Sequence, residues 1–230
     1  MGEVRPAKAL LIDFGGVLTS SVFESFRAYM DNVGVDPRLV EKLLREDEAS
    51  SRALVAHESG NAPLEEFERI FAGRLRAHGA NVEDEGLVAR LTSNLRPDRT
   101  MIAAVERIKE QGFPTVLVSN SLGYEAYEGY GLEELLDHLV VSGRVGVRKP
   151  SRRIYELGAE AAGVPLEDCV MVDDLRQNIE AAGKIGMQGV LHRRPTDSLP
   201  LLGEMFDIDF KDLLVACEVS ARIEEGGAHE

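Results

Sequence analysis

Apolar residues along this chain follow two rhythms. Short unbroken runs, Ala9–Ile12, Thr115–Val118, Leu139–Val141 and Cys169–Val172, each give way to polar or glycine residues and read as strands, as does a last short run at Gly189–Leu191. Between Leu18 and Leu95 the strand pattern disappears. Apolar residues recur there at helical spacing, as in Val22-Phe23-Phe26-Tyr29-Met30 and Leu64-Phe67-Ile70-Phe71-Leu75, with Leu87, Val88 and Leu91 suggesting one more helix. Asp36-Pro37 and Ala62-Pro63 look like helix starts with proline in the first turn, and Gly34, Gly60 and Gly79 like stops or turns. From Pro97 strands and helices alternate: helices are expected over 98–111, 151–162 and 178–184, a closing helix over 209–222, and a frayed acidic tail over 223–230. This order predicts an α/β fold of βα units on a mostly parallel sheet. The expected division is a discontinuous core of 1–17 and 96–215, a helical insert of 18–95, and a helix end and tail over 216–230.

The chemistry sits where the strands stop. The first run ends in Asp13 followed by Gly15-Gly16, a carboxylate with main-chain amides around it. The second ends in Ser119-Asn120. The third leads through Ser142-Gly143 into a turn carrying Arg148-Lys149-Pro150, and the fourth ends in the acid pair Asp173-Asp174. In an open parallel sheet ligands bind beyond the carboxyl ends of the strands, so these four tips converge on one crevice. An ionised Asp13 suits either an oxygen nucleophile or a ligand to a hard cation, and the glycines would let a phosphate approach the main chain.

Taken together, the segments DFGGVL, SNS, VRKP and VMVDDLRQNIEAAGKIGM make the sequence resemble the haloacid dehalogenase superfamily of aspartate-nucleophile phosphatases. Within it, the chain is most similar to the group that includes the amino-terminal phosphatase domain of soluble epoxide hydrolases and a bacterial glucose-1-phosphate phosphatase. The resemblance implies a Rossmann-like core plus an inserted all-helical cap. It also implies roles. Asp13 would be the nucleophile, and Asp174 a magnesium (Mg2+) ligand together with the Asp13 carboxylate and the Gly15 carbonyl. Asp173 would hold Lys149 or a metal-bound water, and Lys149 would neutralise the phosphate. Ser119 would donate its hydroxyl to a phosphate oxygen, with the amides of Gly15, Gly16 and Asn120 as further donors. Asn178 would support the acid pair as an orienting donor. Each residue also has a plainer reading: Asp13 as a turn or capping aspartate, Asp174 as a helix cap through Asn178, Lys149 as a solvated lysine beside Arg148, Ser119 as a local cap.

One position departs from the pattern. Most phosphatases of this superfamily carry a second aspartate two residues after the nucleophile, and Gly15 stands there. General acid–base help is worth about 10²–10⁴ in rate, so its loss should be felt. A substrate with a good leaving group, proton transfer through the substrate, or a donor from the cap would each compensate; His57 and Glu58, in the expected turn 56–60, are the nearby candidates. Gly15 also favours a second reading, a weakly active or inactive member that binds a phosphorylated ligand or a partner in a regulatory role.

The 230 residues, 44% of them hydrophobic, suffice for one core and a second, smaller unit. Forty acidic against 26 basic residues give a net charge of -14, which repels polyanions, so nucleic acid is not an expected partner. The same field opposes a phosphorylated substrate unless a divalent cation and Lys149 reverse it locally. Cys169 in a strand and Cys217 in a late helix do not suggest a disulfide. No apolar run reaches membrane-span length and no secretion signal opens the chain, so a cytoplasmic enzyme acting on a small phosphorylated metabolite, such as a sugar phosphate, is expected. Oligomeric state is not legible.

Overall fold

The computed structural model describes residues 4–123 and 127–217. Five strands, β1 (Ala9–Ile12), β2 (Thr115–Ser119), β3 (His138–Val141), β4 (Cys169–Asp173) and β5 (Gln188–Leu191), form one parallel sheet in the order β3-β2-β1-β4-β5. Alternate residues of β1 point to opposite faces and both faces are covered, which is why the run is apolar throughout. Leu10 and Ile12 join Leu117, Val170 and Val172 beneath helices α6 (Arg99–Glu110) and α11 (Pro195–Phe206). Ala9 and Leu11 join Val116, Val118 and Met171 beneath α9 (Arg152–Ala162) and α10 (Arg176–Lys184). The connections leave β1 toward β2 on one side, while β4 pairs on the other, so the order reverses between β1 and β4. A crevice opens at that point.

Between β1 and α6 lie five helices, α1 (Val22–Val33), α2 (Leu39–Glu46), α3 (Glu48–Glu58), α4 (Leu64–Ala77) and α5 (Leu87–Thr92). They bury an apolar cluster of their own around Phe26, Met30, Leu43, Phe67, Phe71 and Leu75. The chain leaves and re-enters the sheet side by side: Ser20 N donates to Arg96 O at 2.7 Å and Asp98 N to Leu18 O at 2.8 Å.

Several local expectations are corrected. Helix α2 starts at Leu39, two residues beyond Pro37, which still lies in a turn, and Pro63 is the extended residue just ahead of α4. His57 and Glu58 belong to the last turn of α3, not to a loop, and both are buried. Helix α10 begins at Arg176, two residues ahead of Asn178. A short helix, α8 (Ser142–Val145), stands between β3 and Lys149. The closing helix is seen over 211–217; its expected remainder and the acidic tail lie outside the described residues. No helix among those described is long and apolar enough to cross a membrane.

Candidate active site

Strand β1 carries Asp13 to the crevice one residue past its end, where Asp13 N still donates to Val172 O at 2.9 Å. Its Oδ1 accepts from Phe14 N at 2.8 Å and meets Lys149 Nζ at 2.8 Å, and Oδ2 has no hydrogen-bond partner among the described residues. The following turn needs glycine. Gly16 has φ +72°, and a Cβ there would lie 2.6 Å from Asp174 Oδ2, so the Asp174 carboxylate packs directly on the main chain of that turn. At Gly15 a Cβ would lie 2.5 Å from Val22 Cγ2, so the direction a side chain would take is filled by the start of α1.

Lys149 lies at the centre. It is 1% exposed, and its Nζ reaches Asp173 Oδ2 at 2.7 Å as well as Asp13. Asn120 fixes the lysine's backbone from both sides, its Oδ1 accepting from Lys149 N at 2.8 Å and its Nδ2 donating to Lys149 O at 3.1 Å. Asp173 is completely buried and fully engaged: Oδ1 accepts from Leu175 N at 2.8 Å, and Asn178 Nδ2 donates to both carboxylate oxygens at 3.0 Å. Asp173, not Asp174, is therefore the acid that receives the Leu175 amide just ahead of α10 and the Asn178 side chain, because its side chain turns back under the helix start.

Electrostatics follow from this packing. Burial pushes the Asp13 carboxyl up to about 7, against the pull of Lys149 and with the push of Asp173. Asp174 rises to about 6, first through burial and then through its neighbour Asp173. Burial would lower the Lys149 pKa, but the charges of Asp13 and Asp173 and their hydrogen bonds carry it above its ordinary value. Carboxylate oxygens of Asp13, Asp173 and Asp174 lie within 4.8 Å of one another, and one ammonium cannot balance three carboxylates. The donor set, all hard oxygen, and the residual negative charge suit a hard dication, with Asp13 and Asp174 the less committed of the three.

Of the other expected residues, Ser119 is buried at the tip of β2 and its Oγ lies 3.0 Å from the Tyr127 hydroxyl, a partner that no periodic pattern around residue 127 announces. Tyr127 also packs on Phe14, ring centroids 4.9 Å apart, and burial pushes its phenol upward. Glu58 reaches the same crevice but pairs with Arg148, and burial raises its carboxyl. Its carbonyl accepts from Ser142 Oγ at 2.5 Å, joining the end of α3 to the sheet side of the crevice. His57 sits behind, stacked on Phe67, its Nδ1 3.3 Å from Ala62 O, and does not line the crevice. The crevice measures about 620 Å³ and lies between the strand tips and the helical insert.

Residues 7–186 match the family model of the haloacid dehalogenase-like hydrolases. Among characterised relatives, a glyceraldehyde 3-phosphate phosphatase of Methanopyrus kandleri is 26% identical over 200 residues, covering 81% of this chain and 84% of its own length. A phosphatase of Mycobacterium tuberculosis is 28% identical over 189 residues, covering 80% and 86%. Among solved structures, a haloacid dehalogenase family enzyme of Bacteroides thetaiotaomicron, an aspartate-to-alanine mutant in complex with magnesium and inorganic phosphate, superposes with a TM-score of 0.62 at 20% identity, covering 81% of this chain and 94% of that one.

Proposed function

The chain belongs to the haloacid dehalogenase-like hydrolases, and from that membership we propose that it is a magnesium-dependent phosphatase of a small phosphomonoester with Asp13 as nucleophile. The observation that carries this reading is the Lys149 ammonium held 2.8 Å from Asp13 and 2.7 Å from Asp173 at the sheet's switch point, beside Asp174. A buried lysine spanning two carboxylates is costly to keep unless the negative charge it faces is needed.

In the proposed reaction an Asp13 oxygen attacks phosphorus in line. The P–O bond to the leaving group breaks, and the phosphoryl group passes to Asp13 as an aspartyl phosphate. Water then cleaves that acyl phosphate, returning the carboxylate and releasing inorganic phosphate with the water's protons. Lys149 holds positive charge against the carboxylate and the incoming phosphate. Ser119 and the amides of Gly15, Gly16 and Asn120 bind phosphate oxygens, and Asp173 and Asn178 orient Lys149. Magnesium held by Asp13, Asp174 and the Gly15 carbonyl would supply the positive charge that the three acids lack. The helices of 18–95 act as a cap over a core of 1–17 and 96–215. Two free cysteines fit a reducing, cytoplasmic compartment.

Gly15 and the Val22 methyl behind it leave the usual acid position without a proton donor, and Glu58 is engaged by Arg148. Turnover therefore falls on leaving groups that depart unaided. The same feature favours a second reading, a ligand-binding member with little turnover. Phosphate release from a panel of phosphomonoesters, with magnesium and with chelator, separates the two. Release that needs magnesium and vanishes in Asp13→Asn supports the phosphatase; no release from any ester, with ligand binding intact in Asp13→Asn, refutes it.

A further inference from the structure

The wall that faces the catalytic residues across the crevice is mostly hydrocarbon. Val22, Phe23 and Phe26 come from α1, Leu44 from α2, Leu54 from α3, and Leu122 from the loop after β2. Five of these six are only half-buried: one side packs on the insert's apolar cluster and the other fronts the crevice. Most polar side chains along this wall are engaged elsewhere: Arg45 is paired with Glu46, and the half-buried Ser51 is the small hydroxyl among them. Glu41 takes a hydrogen bond from Arg27 at 2.5 Å, and Arg148 is paired with Glu58. A polyol entering here would press hydroxyls against carbon with few partners for them, an unfavourable transfer. An apolar body gains by leaving water.

Size points the same way. A crevice of about 620 Å³ falls within the roughly 300–1,000 Å³ that enclose a drug-sized ligand, more than a phosphate with a three-carbon chain fills. The missing acid adds an independent constraint. The Val22 methyl occupies the side-chain direction of residue 15, so that position offers a leaving oxygen no proton donor. A phenol, with a pKa of about 10, tolerates this far better than an aliphatic alcohol.

We infer that the organic part of the substrate is an apolar aromatic group, so that this site cleaves the phosphate ester of a hydrocarbon phenol and not that of a sugar. The inference rests on the phosphatase reading above and deepens it. The P–O bond to the phenol breaks, the phosphoryl group moves to Asp13, and the phenoxide leaves as an anion and takes its proton from solvent.

The test compares kcat/KM for naphthyl phosphate, O-phosphotyrosine and glycerol phosphate. The first two release phenols of similar acidity and differ in the polarity of the body. Naphthyl phosphate is expected to exceed O-phosphotyrosine by about tenfold or more and glycerol phosphate by about a hundredfold or more. Leu54→Asn, or Leu44→Asn should the first fail to fold, is expected to shrink the preference for naphthyl over tyrosyl phosphate. Equal rates on naphthyl phosphate and O-phosphotyrosine, or a faster glycerol phosphate, overturn the inference and leave the phosphatase standing. If no ester is cleaved, the phosphatase reading falls and calorimetry with naphthylphosphonate decides the pocket. Binding about tenfold tighter than methylphosphonate supports the apolar site, and equal binding overturns it.

Discussion

Lys149→Met keeps the length of the side chain and deletes its charge, which isolates the ammonium as the variable. The two acids it leaves behind are not equally exposed to the loss. Asp173 keeps Leu175 N and the two Asn178 contacts, whereas Asp13 keeps only Phe14 N. The uncompensated charge therefore falls on Asp13. Breaking a buried pair by removing one partner costs about 3–5 kcal/mol when the remaining group stays charged. Asp13 has a way out, which is to keep its proton. With Lys149 present its pKa already stands at about 7, raised chiefly by burial, above an ordinary 3.8. Without the lysine it rises further.

An acid whose folded pKa is raised stabilises the fold least at high pH, because the unfolded chain has released a proton that the fold must keep or surrender at a cost. Stability is greatest below the unfolded pKa and is lost as pH climbs to the folded one. Wild type and variant share that loss up to pH about 7. Above it only the variant continues to lose, by about 1.4 kcal/mol per pH unit. Urea denaturation in chelator at pH 6, 7, 8 and 9 reads this directly. The stability gap should be flat below neutrality, widen above it, and close in part when magnesium is added at pH 8. A gap that is the same at pH 6 and 9, or that widens toward acid, refutes the assignment of the buried charge to Asp13.

Two further outcomes are expected. Gly15→Asp, the change that would supply the missing acid, drives a Cβ into Val22 and should lower stability by about 1–3 kcal/mol; Val22→Ala in the same chain should recover most of it, and a single variant that melts with the wild type would show that Val22 does not bar the position. Magnesium binding requires ionised ligands, so with Asp174 at about 6 and Asp13 at about 7 its affinity should weaken as pH falls from 8 to 5. Calorimetry that finds a constant affinity across that range would contradict it.

The polar strand tips that meet at the crevice were legible because each apolar run is followed at once by the polar residues it presents: Asp13 after β1, Ser119 and Asn120 at the end of β2, Asp173 and Asp174 at the end of β4. Less of the insert was legible. Helix α3 buries Ser50, Ala53, His57 and Glu58, a face too small and too polar to register as an apolar stripe. Outside the insert, helix α11 opens at Pro195, a favoured first position, and carries Pro200 inside, which reads as a breaker, yet it buries Leu199, Leu202 and Phe206 against the sheet, and tertiary packing overrides the local penalty. Within the site, the Arg148 pair with Glu58 and the Tyr127 hydroxyl on Ser119 join segments whose patterns say nothing of each other.

By itself the sequence determined the periodic elements, the parallel α/β order and which residues end each strand, because those depend on neighbours a few positions away. Only the tertiary structure decided what stands opposite those residues: Val22 in the place of a side chain at Gly15, Asp173 rather than Asp174 beneath α10, and a mostly hydrocarbon wall across from Lys149. Such contacts join positions far apart in the chain, and their energies depend on distance and burial that no local pattern encodes.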